Sequence, residues 1–301
     1  MTIAGPSASE SNPTTLRLLW PQWQGATPEN ITALIPELPL AAAQTGYSIG
    51  SSILGALLPA TDGPVLTVPV SSNTQDFEST QGIFAREAVL SQLTEAVGLI
   101  QEASPAKIVT LGGECSVSVA PFAHLAARYG DDLAIVWLDA HADCTLPDDA
   151  YDGYHAMALS HLIGKGDRDI VGALPATIAP SRVALAGVHA WTDWDLPNAR
   201  EWGIQSFSAE DLNRGTETLL TWLEGTGCSK VAVHLDLDVV DSNDIVLGLG
   251  MEPGGLSREA LIRTVTDLTT TAELVGVTVA EYVPRQVIAV QEILNALPLP
   301  K

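Results

Sequence analysis

Short apolar runs alternate with longer amphipathic stretches through most of this chain, and the alternation predicts strands and helices in turn. Leu16 to Trp20 reads as a strand, and residues 38–58 read as a helix weakened by Gly46, Gly50 and Gly55. Val65 to Val70 reads as a second strand. Over 82–103, Ile83, Val89, Leu90, Leu93, Val97 and Ile100 share one broad face, which predicts a helix. Lys107 to Leu111 is the next strand, followed by a helix to about Tyr129 and a strand over Leu133 to Leu138. A short helix over His155 to Ile163 precedes a strand over Arg182 to Gly187 and a helix over 214–225. Lys230 to Leu235 is a strand, and Ser257 to Thr270 a helix that Ser257 can cap. Glu273 to Ala280 is the last strand and Val287 to Leu297 the last helix.

Strands alternating with helices imply a parallel sheet covered on both faces. The runs IVTL, AIVWL, VAVHL and VGVTVA are nearly continuous in apolar residues, as strands buried on both sides should be. The expected class is α/β, a three-layer αβα sandwich with a mostly parallel central sheet. Residues 1–15, rich in Ser, Pro and Thr, are expected to be a flexible N-terminus. Residues 16–301 are expected to form a single domain, because no internal repeat or linker interrupts them.

Composition narrows the function. The 301 residues are 46% hydrophobic and 17% charged, which excludes a disordered solvating protein. Fourteen Lys and Arg stand against 36 Asp and Glu, a net charge of -22. Such a surface repels nucleic acid and an anionic membrane leaflet and attracts cations. Three cysteines in a chain of this length argue against a disulfide framework and fit a reducing compartment. The N-terminus lacks a basic start and an apolar core, and no apolar run reaches the roughly 18 residues that span a bilayer. A soluble, cytoplasmic protein is expected.

Ligands of open parallel sheets bind beyond the carboxyl ends of the strands. After IVTL comes Gly112-Gly113-Glu114-Cys115-Ser116. After AIVWL comes Asp139-Ala140-His141-Ala142-Asp143, after VAVHL comes Asp236-Leu237-Asp238, and after VGVTVA comes Glu281. In extended backbone, residues i, i+2 and i+4 point the same way. Asp139, His141 and Asp143 are therefore expected to converge, as are Asp236 and Asp238. Carboxylates packed at buried strand ends repel one another and resist desolvation, and divalent cations relieve both. Four Asp and one His suit hard or borderline ions, Mn²⁺ above all, and five ligands with carboxylates able to bridge suggest two ions. Alone, a DxD is more often a pair of turn or cap residues; both clusters on separate strands of one sheet make that reading the weaker.

LDAHAD and HLDLDVVD resemble the second and third metal motifs of the arginase/ureohydrolase family, and GGECS resembles its first. YHAM resembles that family's catalytic-histidine loop, and Glu281 in VAEYVP its late substrate-binding glutamate. The matches run in family order from Leu111 to Pro284. The resemblance implies an arginase-like fold with one Mn²⁺ held by Cys115, Asp139, Asp143 and Asp236. A second Mn²⁺ would be held by Asp139, His141, Asp236 and Asp238, with Asp139 and Asp236 bridging. It implies catalysis by His155, Glu281 and Asp143: a bridging hydroxide attacks a guanidinium carbon, His155 shuttles a proton to the leaving amine, and Glu281 pairs with the cation. The implied partners are a small cationic guanidino substrate and further copies of the chain in a homo-oligomer.

The chain also departs from the family pattern. Cys115 stands where most members have His. A thiolate is softer and negatively charged, so Zn²⁺, Fe²⁺ or Co²⁺ can replace Mn²⁺ at that position; the alternative is a small buried hydrophobe. Bacterial hydroxyarginine amidinohydrolases resemble this sequence there, in a similar CSVS context. Tyr151-Asp152-Gly153 replaces the family's Ser-Gly-Asn stretch before the catalytic His, so a pocket for free arginine is not evident. His234 shares a face with Asp236 and is placed near the site or in the core. Trp191, Trp194 and Trp202 line either a substrate mouth or an apolar contact. Three alternatives stay open: a formimino or amide C–N hydrolase, a deacetylase-like zinc enzyme, and a non-catalytic binding protein of the same fold. The Asp236–Asp238 pair speaks against a single-zinc deacetylase.

Overall fold

The computed structural model describes residues 15–73 and 77–300. The stretch 1–14, most of the expected flexible N-terminus, lies outside the described residues, and Thr15 already belongs to a strand.

Eight strands form one parallel sheet. In chain order they are β1 (Thr15–Trp20), β2 (Val65–Thr67), β5 (Lys107–Gly112), β6 (Leu133–Leu138), β7 (Val183–Val188), β8 (Gln205–Ser208), β9 (Lys230–Asp236) and β10 (Glu273–Ala280). A two-stranded antiparallel ribbon, β3 (Ser79–Thr80) with β4 (Ile83–Phe84), stands apart. The large sheet runs β2-β1-β5-β10-β9-β6-β7-β8, and every pairing in it is parallel. The expected three-layer αβα architecture is present.

The helices are α1 (Pro28–Leu34), α2 (Leu40–Leu57), α3 (Arg86–Ala103), α4 (Val119–Tyr129), α5 (Ala158–Leu162), α6 (Arg168–Ala173), α7 (Asp195–Glu201), α8 (Ala209–Arg214), α9 (Glu217–Thr226), α10 (Arg258–Thr271) and α11 (Val287–Ala296). Strand side chains alternate between two cores. Leu133, Ile135 and Trp137 of β6 join Val89 and Leu93 of α3 and Phe122 of α4 on one face of the sheet. Ala134, Val136 and Leu138 join Leu261 of α10 and Ile293 of α11 on the other. Both faces are covered, so both sets of positions must be apolar.

Several boundaries differ from the sequence reading, each for a local reason. The predicted helix over 82–103 begins at Arg86, because Ile83 and Phe84 pair with the preceding strand. The predicted strand over 65–70 stops at Thr67 on the sheet edge, where only β1 pairs with it. The helix expected over His155–Ile163 starts as a tight 3₁₀ turn at Tyr154–Met157 and continues as α5. Ser257 caps α10 as expected, accepting the Ala260 amide.

Candidate metal centre

The loops after β5, β10, β9 and β6 belong to four strands that are neighbours in the sheet. They deliver Cys115, Glu281, the Asp236–Asp238 pair and the Asp139–Asp143 stretch to one place.

The means of convergence differs from the pleat expected. β6 ends at Leu138 and β9 at Asp236, so the site residues leave the sheet in turns rather than extended backbone. Both turns use one device. Asp139 Oδ1 accepts the His141 amide at 2.7 Å, and Asp236 Oδ1 accepts the Asp238 amide at 2.8 Å. Each first aspartate thus fixes its own turn with one oxygen; the other accepts from Trp137 Nε1 at 3.1 Å in Asp139 and from the Cys115 thiol in Asp236. Asp238 Oδ1 accepts the Ala140 amide at 3.2 Å, which ties the two loops together. Asp143 and Glu281 hold left-handed backbone, with φ of 50° and 60°.

Cys115, Asp139, Asp143, Asp236, Asp238 and Glu281 are all buried, while His141 and His155 are partly exposed. Three groups of donor atoms gather within 4.8 Å: Cys115 with Asp139, His234 and Asp236; Asp139 with His141 and Asp238; Cys115 with His155 and Glu281. Asp143 joins none of the three but lies beside them, and its Oδ2 has no hydrogen-bond partner. The Cys115 thiol donates to Asp236 Oδ2 at 3.0 Å, and His141 Nδ1 is 3.3 Å from Asp238 Oδ2. Among the described residues, no Lys or Arg pairs with any of these acids; the side-chain nitrogens beside them in ion-pair range are histidines.

The electrostatics follow. Burial, and then the negative charges around it, push the Cys115 thiol well above its usual range. Burial and the Asp139 charge raise Asp143, and burial with the Asp238 and Asp139 charges raises Asp236. Burial raises Glu281 to about 8, against the hydrogen bond that Tyr47 donates to it. Asp139 goes the other way: burial would raise it, but His141 and His234 hold it below the usual carboxylate range. Burial lowers His155 to about 4, so its imidazole is neutral at neutral pH. A buried set of carboxylates whose protons are held this tightly is the environment a divalent cation resolves, since it replaces the protons and cancels the repulsion. The donor set fits one or two such ions.

Several neighbours had no sequence signal. Tyr47 reaches Glu281 from α2. Tyr151 Oη lies 2.7 Å from His155 Nε2, and Asn30 Nδ2 lies 3.5 Å from the same atom. Glu114, a carboxylate in the first motif, is no ligand: it accepts from the Ser116 amide and hydroxyl and from Gln22, and so builds the turn that presents Cys115. Cys144 packs in the core. Trp191 and Trp194 are exposed, and Trp202 packs against the core.

The arginase family model matches residues 58–295, which takes in all four strand-end loops. The chain belongs to the arginase family. The arginase of Entamoeba histolytica is 25% identical over 185 residues, 59% of this chain and 62% of that protein; the chain thus spans about three fifths of the length of that relative. The arginase of Bacillus subtilis is 27% identical over 221 residues, 68% of this chain and 71% of that protein. Among solved structures, the arginase of Bacillus caldovelox superposes with a TM-score of 0.75 at 19% identity, covering 96% of this chain and 99% of that one. Formimidoylglutamase of Bacillus subtilis superposes at 0.64 and 14% identity, covering 94% and 85%. At such identities the structural likeness establishes the fold. The arginase family is one of hydrolases, and the buried ligand cluster of this member is in keeping with a metal-dependent one.

Proposed function

We propose that this arginase-family protein is a dinuclear, Mn²⁺-type hydrolase that cleaves a C–N bond of a guanidino or amidino group and releases urea or a urea-like product. The observation that carries the reading is the convergence of five buried carboxyls with a thiol and histidines, without any Lys or Arg among the described residues paired to them. Asp139, His141, Asp143, Asp236, Asp238 and Cys115 would hold two ions. The ions, when bound, neutralise the carboxylates and make water a nucleophile at neutral pH.

The chain's own residues supply the rest. Glu281 receives the substrate cation, and a guanidinium can meet its carboxylate with two charge-assisted bonds. Tyr47 orients that carboxylate. His155, with Nδ1 3.9 Å from Glu281 Oε1, stands where it can pass a proton to a departing amine. A cleft of about 730 Å³ beside Tyr151 is lined by Thr27, Glu29, Asn30, Phe77, Phe84 and Asp152 among others, with no Lys or Arg in its lining. A substrate tail without a carboxylate suits it better than a free amino acid does. A formimino or amide C–N bond is the second reading, since formimidoylglutamase shares this fold.

The test is metal content per chain, followed by a urea-release screen over guanidino compounds. Two equivalents of divalent metal, Mn²⁺ with Zn²⁺, Fe²⁺ or Co²⁺ possible at the Cys115 position, and urea from at least one substrate are expected, and Asp236→Asn should lose both. A protein that takes up no divalent ion would overturn the proposal.

A further inference from the structure

His234 is buried on β9, on the same face of the sheet as Trp137 and Phe122. A histidine there is costly unless both ring nitrogens find partners. Its Nδ1 has one, Ser118 Oγ at 2.7 Å. Its Nε2 has none. The ring is fixed by stacking on Trp137, with centroids 3.7 Å apart and planes 14° from parallel. That fixed orientation aims Nε2 at the donor atoms of Cys115, Asp139 and Asp236, all within 4.8 Å of one another. The distance from Nε2 to Asp139 Oδ2 is 3.6 Å, long for a hydrogen bond. Two ligands bound to one tetrahedral ion at about 2.0–2.2 Å each stand roughly 3.3–3.6 Å apart.

We propose that His234 is a direct ligand, through Nε2, of the ion that Cys115, Asp139 and Asp236 would hold, an addition to the ligands named above that makes this position take Zn²⁺, Co²⁺ or Fe²⁺ in preference to Mn²⁺. The inference rests on the metal-centre reading above and assigns this one position within it. The Ser118 contact serves one tautomer in the way a ligand needs: with the proton on Nδ1 and donated to Ser118, the Nε2 lone pair faces the centre, the usual arrangement for a ligating imidazole whose second nitrogen is held by a neighbour. One thiolate and one imidazole make the set softer than carboxylates alone, and soft sets select zinc and iron over manganese.

Full-length protein stripped with a chelator and reloaded with Co²⁺, Zn²⁺ or Mn²⁺ provides the test, with His234→Gln, Cys115→Ser and Ser118→Ala compared with wild type. The readouts are the dissociation constants and the absorption spectrum of the Co²⁺ form. His234→Gln should bind Zn²⁺ and Co²⁺ roughly 100-fold more weakly or worse. Its visible ligand-field bands should shift while the near-ultraviolet thiolate-to-cobalt band remains. Cys115→Ser should lose the thiolate band, and Ser118→Ala should weaken binding by a smaller factor. Because a buried variant can misfold, ¹⁵N-histidine spectra of wild-type protein with and without Zn²⁺ give an independent reading. A zinc-induced shift at one buried Nε2 whose Nδ1 stays protonated is expected. Unchanged affinity and ligand-field bands in His234→Gln, or an Nε2 that carries the proton in the zinc form, would make His234 only a positioning residue behind Asp139 and sink the inference. Failure of wild type to bind any of the three ions would instead remove the underlying reading.

Discussion

At the residue scale, the proposed chemistry gives His155 and Glu281 to the substrate and leaves Tyr47 to hold Glu281. His155 is neutral at neutral pH because burial lowers it, and no acid within hydrogen-bond distance is there to hold it charged. His155→Asn is expected to lower kcat by roughly 10²–10⁴ with metal content unchanged. Tyr47 acts through Glu281. Loss of a hydrogen bond to a charged group is worth about 1.5–3 kcal/mol, so Tyr47→Phe should raise KM by tenfold or more with a smaller effect on kcat. Steady-state kinetics on the two variants separate these roles. His161 offers a test away from the metal loops. It is fully buried, its Nδ1 bonded to the Met157 carbonyl at 2.7 Å and its Nε2 accepting the Asp167 amide at 2.9 Å. Burial lowers it to about 4. Below the unfolded value near 6.5, the unfolded chain binds a proton that the folded chain refuses, so stability falls as pH drops from about 6.5 toward 4. Between pH 7 and 5 this amounts to roughly 2 kcal/mol. Urea unfolding at both pH values should show that much less pH sensitivity in His161→Gln than in wild type; equal sensitivity would place the titration elsewhere.

Elements carry the site through a few close approaches. Arg86 at the start of α3 is only 4% exposed and binds Asp167 and Asp169 at the start of α6. Asp167 also caps α6, accepting two amides. Asp167→Ala leaves a buried guanidinium with only two exposed partners, Asp169 and Glu87, and an uncapped helix, and should cost roughly 3–5 kcal/mol in denaturant unfolding. On α2, a Cβ at Gly50 would stand 2.1 Å from the Tyr282 carbonyl. Gly50→Ala should therefore push α2 off the sheet and carry Tyr47 with it, reproducing the KM rise of Tyr47→Phe together with a loss of stability. The same elements explain what sequence can show. The central strands were legible because burial on both faces makes them continuous apolar runs. β8, Gln-Ser-Phe-Ser at the sheet edge, pairs only with β7 and carries no such run. The seven-residue helices α1 and α7 are too short to display a period. The acids of the candidate metal centre were legible because each follows an apolar strand, although turns and not the pleat bring them together. Tyr47, Asn30 and Tyr151 come from segments whose meeting with the centre is tertiary, and no spacing encodes it.

For the whole molecule, a charge of -22 surrounds a centre already rich in carboxyls. A cationic substrate is drawn in by that field, and salt screens it over about 8–10 Å at physiological ionic strength. KM for a cationic guanidino compound is expected to rise severalfold between low and high ionic strength, whereas KM for a neutral amide should stay level, which separates a cationic substrate from an amide one. The sheet order has its own weight: four neighbouring central strands, far apart in sequence, must all be paired before their loops can meet. The scaffold is therefore complete before the centre is, and it can impose unfavourable backbone there. Asp143 and Glu281 are two such residues, held where L side chains crowd their own carbonyls at about 1–2 kcal/mol each. Selection for heat resistance alone, without demand for turnover, would erode those two positions first. Asparagine tolerates the left-handed region and carries no charge to bury. Asp143→Asn should accordingly melt at a higher temperature than metal-free wild type while binding ions more weakly, so that the most robust form of this protein is one that has given up its chemistry.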